Sequence, residues 1–189
     1  MNREVHPPAT SPDMWAHDAV LPVAVMVAAP APEHAADPML WKIAGVVVGR
    51  QFASATRQSQ CVRSGPNGAL YLWRGFSIRL HPAQADDYAL NLGSEEPEVF
   101  VIARFDAERG VEPLEITVSL DHAQNLDATE LRASNEMVLS TSMPAELGRW
   151  METFILEHYR PRKKSGRGKR RSKALYDAAV GDWDGADTP

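Results

Sequence analysis

Leu70-Tyr71-Leu72-Trp73-Arg74-Gly75-Phe76-Ser77-Ile78-Arg79-Leu80 decides the fold class. Leu70, Leu72, Phe76, Ile78 and Leu80 share one parity, and Tyr71, Trp73, Ser77 and Arg79 share the other. Strand side chains alternate between faces, so a continuous strand sends the first set to the core. Arg74 breaks the apolar face. Gly75 beside it marks a bulge or a tight turn that re-aims Arg74. One bent strand and a hairpin both satisfy the pattern, and both make the centre of the chain β.

Upstream, Ser64-Gly65-Pro66-Asn67-Gly68 is a turn cluster, with a short strand expected around Gln60 to Arg63. The body begins near Met39. Leu40 to Val48 is rich in β-branched residues and reads as a buried strand ended by Gly49-Arg50. Downstream, His81-Pro82 opens a helix with Pro82 near its first position, and Ala85, Tyr88, Ala89 and Leu92 keep helical spacing up to Gly93. Val99 to Phe105 is a strand. Leu114, Ile116, Val118 and Leu120 alternate with polar residues, which predicts a half-buried strand. Asp121 is placed to cap a short helix running to about Asp127. Met137 to Leu139 is a short strand.

The strongest helix is the last. Leu147, Trp150, Met151, Phe154, Ile155 and His158 fall on one face, Pro144 suits the first turn, and Pro161 ends the run. The links are of hairpin length, so the expected fold is α+β. It comprises a single, mostly antiparallel sheet, two short helices and a long C-terminal amphipathic helix, flanked by disordered tails. The expected domains are a disordered Pro/Ala-rich segment over 1–38, the α+β domain over 39–160, and a disordered strap and tip over 161–189. Residues 1–38 hold seven of the fourteen prolines, and proline blocks regular ladders. The apolar run Val20 to Ala29 inside that segment reads as a loosely docked or partner-binding peptide. It lacks the basic flank of an export signal.

The chain has 189 residues, a net charge of −5 and one cysteine. A disulfide framework and a multi-cysteine metal site within the chain are thereby excluded. No apolar run reaches the length of a membrane span. The net charge averages three unlike regions: residues 1–159 carry −10, residues 160–173 carry +9 with no acid, and residues 174–189 carry −4 with no base.

The body resembles a bacterial family of uncharacterised proteins, DUF3305. The residues that carry this are Gly45-Val46-Val47-Val48, Gly75-Phe76-Ser77-Ile78-Arg79-Leu80-His81, Tyr88-Ala89-Leu90-Asn91-Leu92 and Pro97 to Arg104. Met143-Pro144, Trp150, Phe154 and His158 close the pattern, which covers roughly 40–165. Gln51 to Pro66 departs from it. The resemblance implies association with gene clusters for molybdenum-dependent formate dehydrogenase. It also implies a link to molybdopterin-guanine dinucleotide synthesis. Nucleotidyl transfer itself needs a glycine-rich loop and a lysine after the first strand, and Ile43 to Arg50 has neither paired glycines nor lysine.

The candidate chemistry is sparse. Cys61 is the lone thiol, either incidental or a covalent sulfur carrier, and no motif surrounds it. Asp121-His122 ends a strand, but adjacent strand residues point to opposite faces and form no dyad. The histidines show no metal-binding spacing. Asp86-Asp87 and Glu95-Glu96 with Glu98 read as solvated acidic faces. Arg74 and Arg104 are the candidate functional surface of the body. The candidate partner-binding residues are Arg162, Lys163, Lys164, Arg167, Lys169, Arg170, Arg171 and Lys173 of the strap. The strap lacks P-loop spacing and interleaved aromatics. It reads as a solvated tail, a protein-docking strap or a nucleic-acid arm. The resulting expectation is a cytoplasmic, non-enzymatic accessory protein without a cofactor. It would bind a protein partner such as a formate dehydrogenase subunit or assembly factor. The alternative is a nucleic-acid-binding module.

Overall fold

The computed structural model describes residues 19–126 and 128–159. Seven strands and four α-helices are seen there: β1 (Val20–Ala29), β2 (Lys42–Val48), β3 (Gln58–Gly65), β4 (Gly68–Arg79), α1 (Ala85–Leu92), β5 (Glu98–Asp106), β6 (Gly110–Thr117), α2 (Leu120–Gln124), α3 (Ala128–Ala133), β7 (Glu136–Ser142) and α4 (Ala145–His158). The α+β class and the antiparallel pairing are as expected. The single sheet is not: there are two, with strand orders β2-β1-β4-β3 and β6-β5-β7. β2 runs close to β7, and β4 close to β6, so the two sheets close around one core.

The largest correction concerns Val20 to Ala29. This run is neither disordered nor loosely docked. It is β1, flanked by β2 on one side and β4 on the other. Leu21, Val23, Val25 and Val27 are buried in the core, so the folded domain starts well before Met39. The prolines misdirect because Pro22 lies at the end of a ladder. Its carbonyl accepts from the Gly49 N–H (3.0 Å), so its missing donor faces the side where β2 has ended. There the lost hydrogen bond costs nothing. Expected disorder over 1–18 and 161–189 lies outside the described residues.

β4 is one bent strand rather than a hairpin. Against β1, Val23 pairs with Phe76 and Val25 with Trp73, so β4 holds one extra residue at Arg74-Gly75. Gly75 has φ +87° there, and a Cβ would lie 2.5 Å from the Thr56 carbonyl oxygen. The bulge also reverses the side-chain parity. Phe76, Ile78 and Leu80 point inward as expected. Below the bulge it is Tyr71 and Trp73, not Leu70 and Leu72, that pack on the core.

The helices plug the core. Tyr88 of α1 and Leu147, Trp150, Met151 and Phe154 of α4 are buried in it, and the His158 ring packs against Phe154 at a tilt of 51°, with ring centroids 4.3 Å apart. Pro144 precedes α4 as its N-cap rather than standing in its first turn. Ser119, not Asp121, caps α2, accepting from the His122 N–H at 2.9 Å. The short helix α3 is additional to the two expected. Asn91 ties α1 to the second sheet. It is almost fully buried, donates to the carbonyls of Glu98 (2.8 Å) and Val118 (2.7 Å), and accepts from the Glu98 N–H (3.0 Å).

Candidate functional site

A groove of about 410 Å³ opens where β4 and β6 approach each other. Its walls come from distant parts of the sequence. The loop before β3 contributes Arg57. Past its bulge, β4 contributes Phe76, Ser77 and Arg79, with Ser77 and Arg79 alternating away from the core. His81 and Gln84 come from the segment before α1, and Tyr88 from α1 itself. β6 supplies Leu114 to Thr117, and Ser119 and His122 come from the N-cap and body of α2.

The bulge builds one wall directly. Gly75 lets the Thr56–Arg57 backbone lie against β4. Arg57 then sits over the Phe76 ring, 5.1 Å from its centroid, a cation–π contact that holds the guanidinium over the groove. The opposite wall is a chain of local hydrogen bonds. Thr117 Oγ1 accepts from the Ser119 N–H (3.1 Å), and Ser119 Oγ accepts from the His122 N–H. At the base, Tyr88 donates to Gln84 Oε1 (2.6 Å) and accepts from the His81 N–H (3.2 Å). Burial pushes the Tyr88 phenol up, so it stays a neutral donor.

Glu115 is the acid of the groove. Its Oε1 lies 3.1 Å from His122 Nε2, close enough for electrostatic contact but not aligned as a hydrogen bond. Beneath α2, Asp87 is buried and accepts from the Asp121 N–H (3.0 Å), leaving Oδ2 unpartnered. Asp87 is therefore part of the α1–α2 joint rather than of a solvated acidic face.

The other sequence candidates lie elsewhere. Arg74, at the bulge, donates to Gln60 Oε1 at 2.6 Å on the outer face of the first sheet. Arg104 pairs with Glu136 at 2.8 Å on the second sheet. The structure does not bring them together, and neither lines the groove. Cys61 is exposed on the edge strand β3 and donates only to the Arg63 carbonyl. The eight strap residues from Arg162 to Lys173 lie outside the described residues. His81 was legible only as a helix-entry residue and His122 only as the end of a strand, and Arg57 and Arg79 carried no local motif. Their convergence is a product of the tertiary fold.

Among the described residues no group of acids, histidines or cysteine is arranged to hold a metal ion. None of their helices is long and apolar enough to cross a membrane. A family model described as "Protein of unknown function (DUF3305)" matches residues 13–171. No curated protein and no solved structure matches the chain.

Proposed function

The chain belongs to the DUF3305 family, and from that premise we propose a non-enzymatic accessory protein that assists assembly or maturation of molybdenum-dependent formate dehydrogenase. The observation that supports a protein-binding role is the outer face of the first sheet. The register puts Pro22, Met26 and Ala28 of β1 on the same side as Val47 of β2 and Leu70 and Leu72 of β4. All six are apolar and partly exposed, and they surround Ala24, which lies on the same face and is fully buried. Apolar surface gathered on one sheet face is the kind that partner proteins cover. Arg74 and Gln60 stand at its margin and can fix orientation.

The enzyme would be held in an immature state by this face, with the strap as a second, charge-driven contact. Deleting the gene and measuring formate dehydrogenase activity together with its molybdenum content tests the reading. Loss of activity with the subunits still present is expected. Wild-type activity and molybdenum content would end it. The second reading, a nucleic-acid-binding module, rests on the nine cations of residues 160–173. It is separated from the first by salt dependence.

A further inference from the structure

We propose that the groove between β4 and β6 binds the phosphate group of a phosphorylated small molecule. Charge is the first ground. The body carries excess acid, yet two guanidinium groups, Arg57 and Arg79, line one cavity. No ion pair engages either among the described residues. The acid nearby, Glu115, is already against His122.

Hydrogen-bond polarity is the second ground. Three neutral polar side chains of the groove each accept one hydrogen bond from a neighbour and keep a donor of their own. Gln84 Oε1 takes the Tyr88 hydroxyl proton, Thr117 Oγ1 takes the Ser119 N–H, and Ser119 Oγ takes the His122 N–H. The Gln84 amide N–H groups and the two hydroxyl protons remain to be donated. Side chains able to donate thus share one lining with two cationic forks, which suits a multi-oxygen anion, while the charge of the arginines disfavours a cation. Arginine in particular matches phosphate through its planar fork.

Size gives the rest of the ligand. A bare phosphate leaves most of about 410 Å³ empty. That volume falls within the range of small-molecule sites, roughly 300–1,000 Å³. Leu114, Ile116 and Phe76 are also on the lining, but Ile116 and Phe76 are buried in the core, so the lining is mostly polar and suits a small polar body attached to the phosphate. The inference is independent of the accessory role: a maturation factor and an unrelated binding protein could both hold such a ligand.

The test is an amide NMR titration of the full chain at fixed ionic strength, with inorganic phosphate, adenosine 5′-monophosphate and acetate as probes. Saturable shifts at Ser77, Arg79, Thr117 and His122 are expected with both phosphates. The nucleotide should bind on the order of tenfold tighter than inorganic phosphate. Arg57→Gln and Arg79→Gln should each weaken phosphate binding about fivefold or more while the amide spectrum stays that of a folded chain. Arg132→Gln on α3 should not alter it. Shifts confined to the strap, equal affinity for acetate, or no saturation would each overturn the proposal. So would a folded double variant, Arg57→Gln with Arg79→Gln, that binds phosphate as wild type does.

Discussion

Asn91 does the most per atom to hold the fold in register. One amide satisfies both the N–H and the carbonyl of Glu98, where β5 begins, and the carbonyl of Val118, where β6 ends. A buried polar group left unpaired costs about 1–3 kcal/mol. Asn91→Ala leaves three backbone groups without a partner, so a loss of about 3 kcal/mol or more in urea unfolding is expected. A loss below about 1 kcal/mol would show that water replaces the amide without cost. Asp106 gives a pH-dependent counterpart. Its Oδ1 accepts from the Glu108 and Arg109 N–H groups (both 2.9 Å) in the β5–β6 turn, and these hydrogen bonds hold its carboxyl below the usual carboxylate value. A depressed folded-state value means stabilisation that is present above the unfolded value and lost as pH falls through the folded one. Asp106→Ala should therefore destabilise at neutral pH. Its difference from wild type should narrow on acidification below the carboxylate range, as read by unfolding midpoints at several pH values. The sequence showed Asn91 only as part of a family-like segment. Its role needs two strand ends that no local spacing announces.

At the scale of elements, β1 and the β4 bulge decide how far the sequence could be read. β2, β4, β5, α1 and α4 were legible because periodicity and helix signals are local. β1 was not, because Pro22 within it and the prolines around it argue for an irregular chain unless the end of the β2 ladder is known. The parity of Leu70 and Leu72 was misassigned for a related reason: a one-residue bulge flips every side chain before it. Gly75→Ala tests the bulge. A side chain is disfavoured at φ +87° and would meet the Thr56 carbonyl, which is backbone and cannot swing aside. A loss of about 2–3 kcal/mol is expected, with displacement of Arg57 from Phe76 visible in the amide spectrum of the groove. A chain beginning at Met39 tests β1. Without it β2 and β4 lose their shared neighbour, and Val46 and Trp73 lose the side chain of Val25 between them. Such a chain should show no cooperative unfolding transition, whereas one beginning at Ala19 should keep it. A cooperative transition from Met39 onward would place the first strand outside the essential fold.

For the whole molecule, net charge is a poor descriptor and charge placement a useful one. The part that contains both sheets is acidic by ten charges, and nine cations follow it. The described core is complete by Tyr159, so removing everything after that residue should leave the unfolding midpoint unchanged. It should change association strongly. Each phosphate neutralised on duplex DNA contributes about −0.9 to the slope of log affinity against log salt. The full chain should thus bind DNA at low salt with a steep slope, and the chain truncated at Tyr159 should not bind it at all. At physiological salt the accessory reading expects DNA binding to be lost. An acidic body repels the duplex, and no aromatic residue is interleaved with the strap to stack on bases. Fluorescence anisotropy of both chains against one labelled duplex across a salt series reads all of these outcomes. Retained submicromolar binding at physiological salt would move the strap from a protein contact to a nucleic-acid one. The groove between β4 and β6 and the apolar face of the first sheet would be untouched by that result, because neither includes a strap residue.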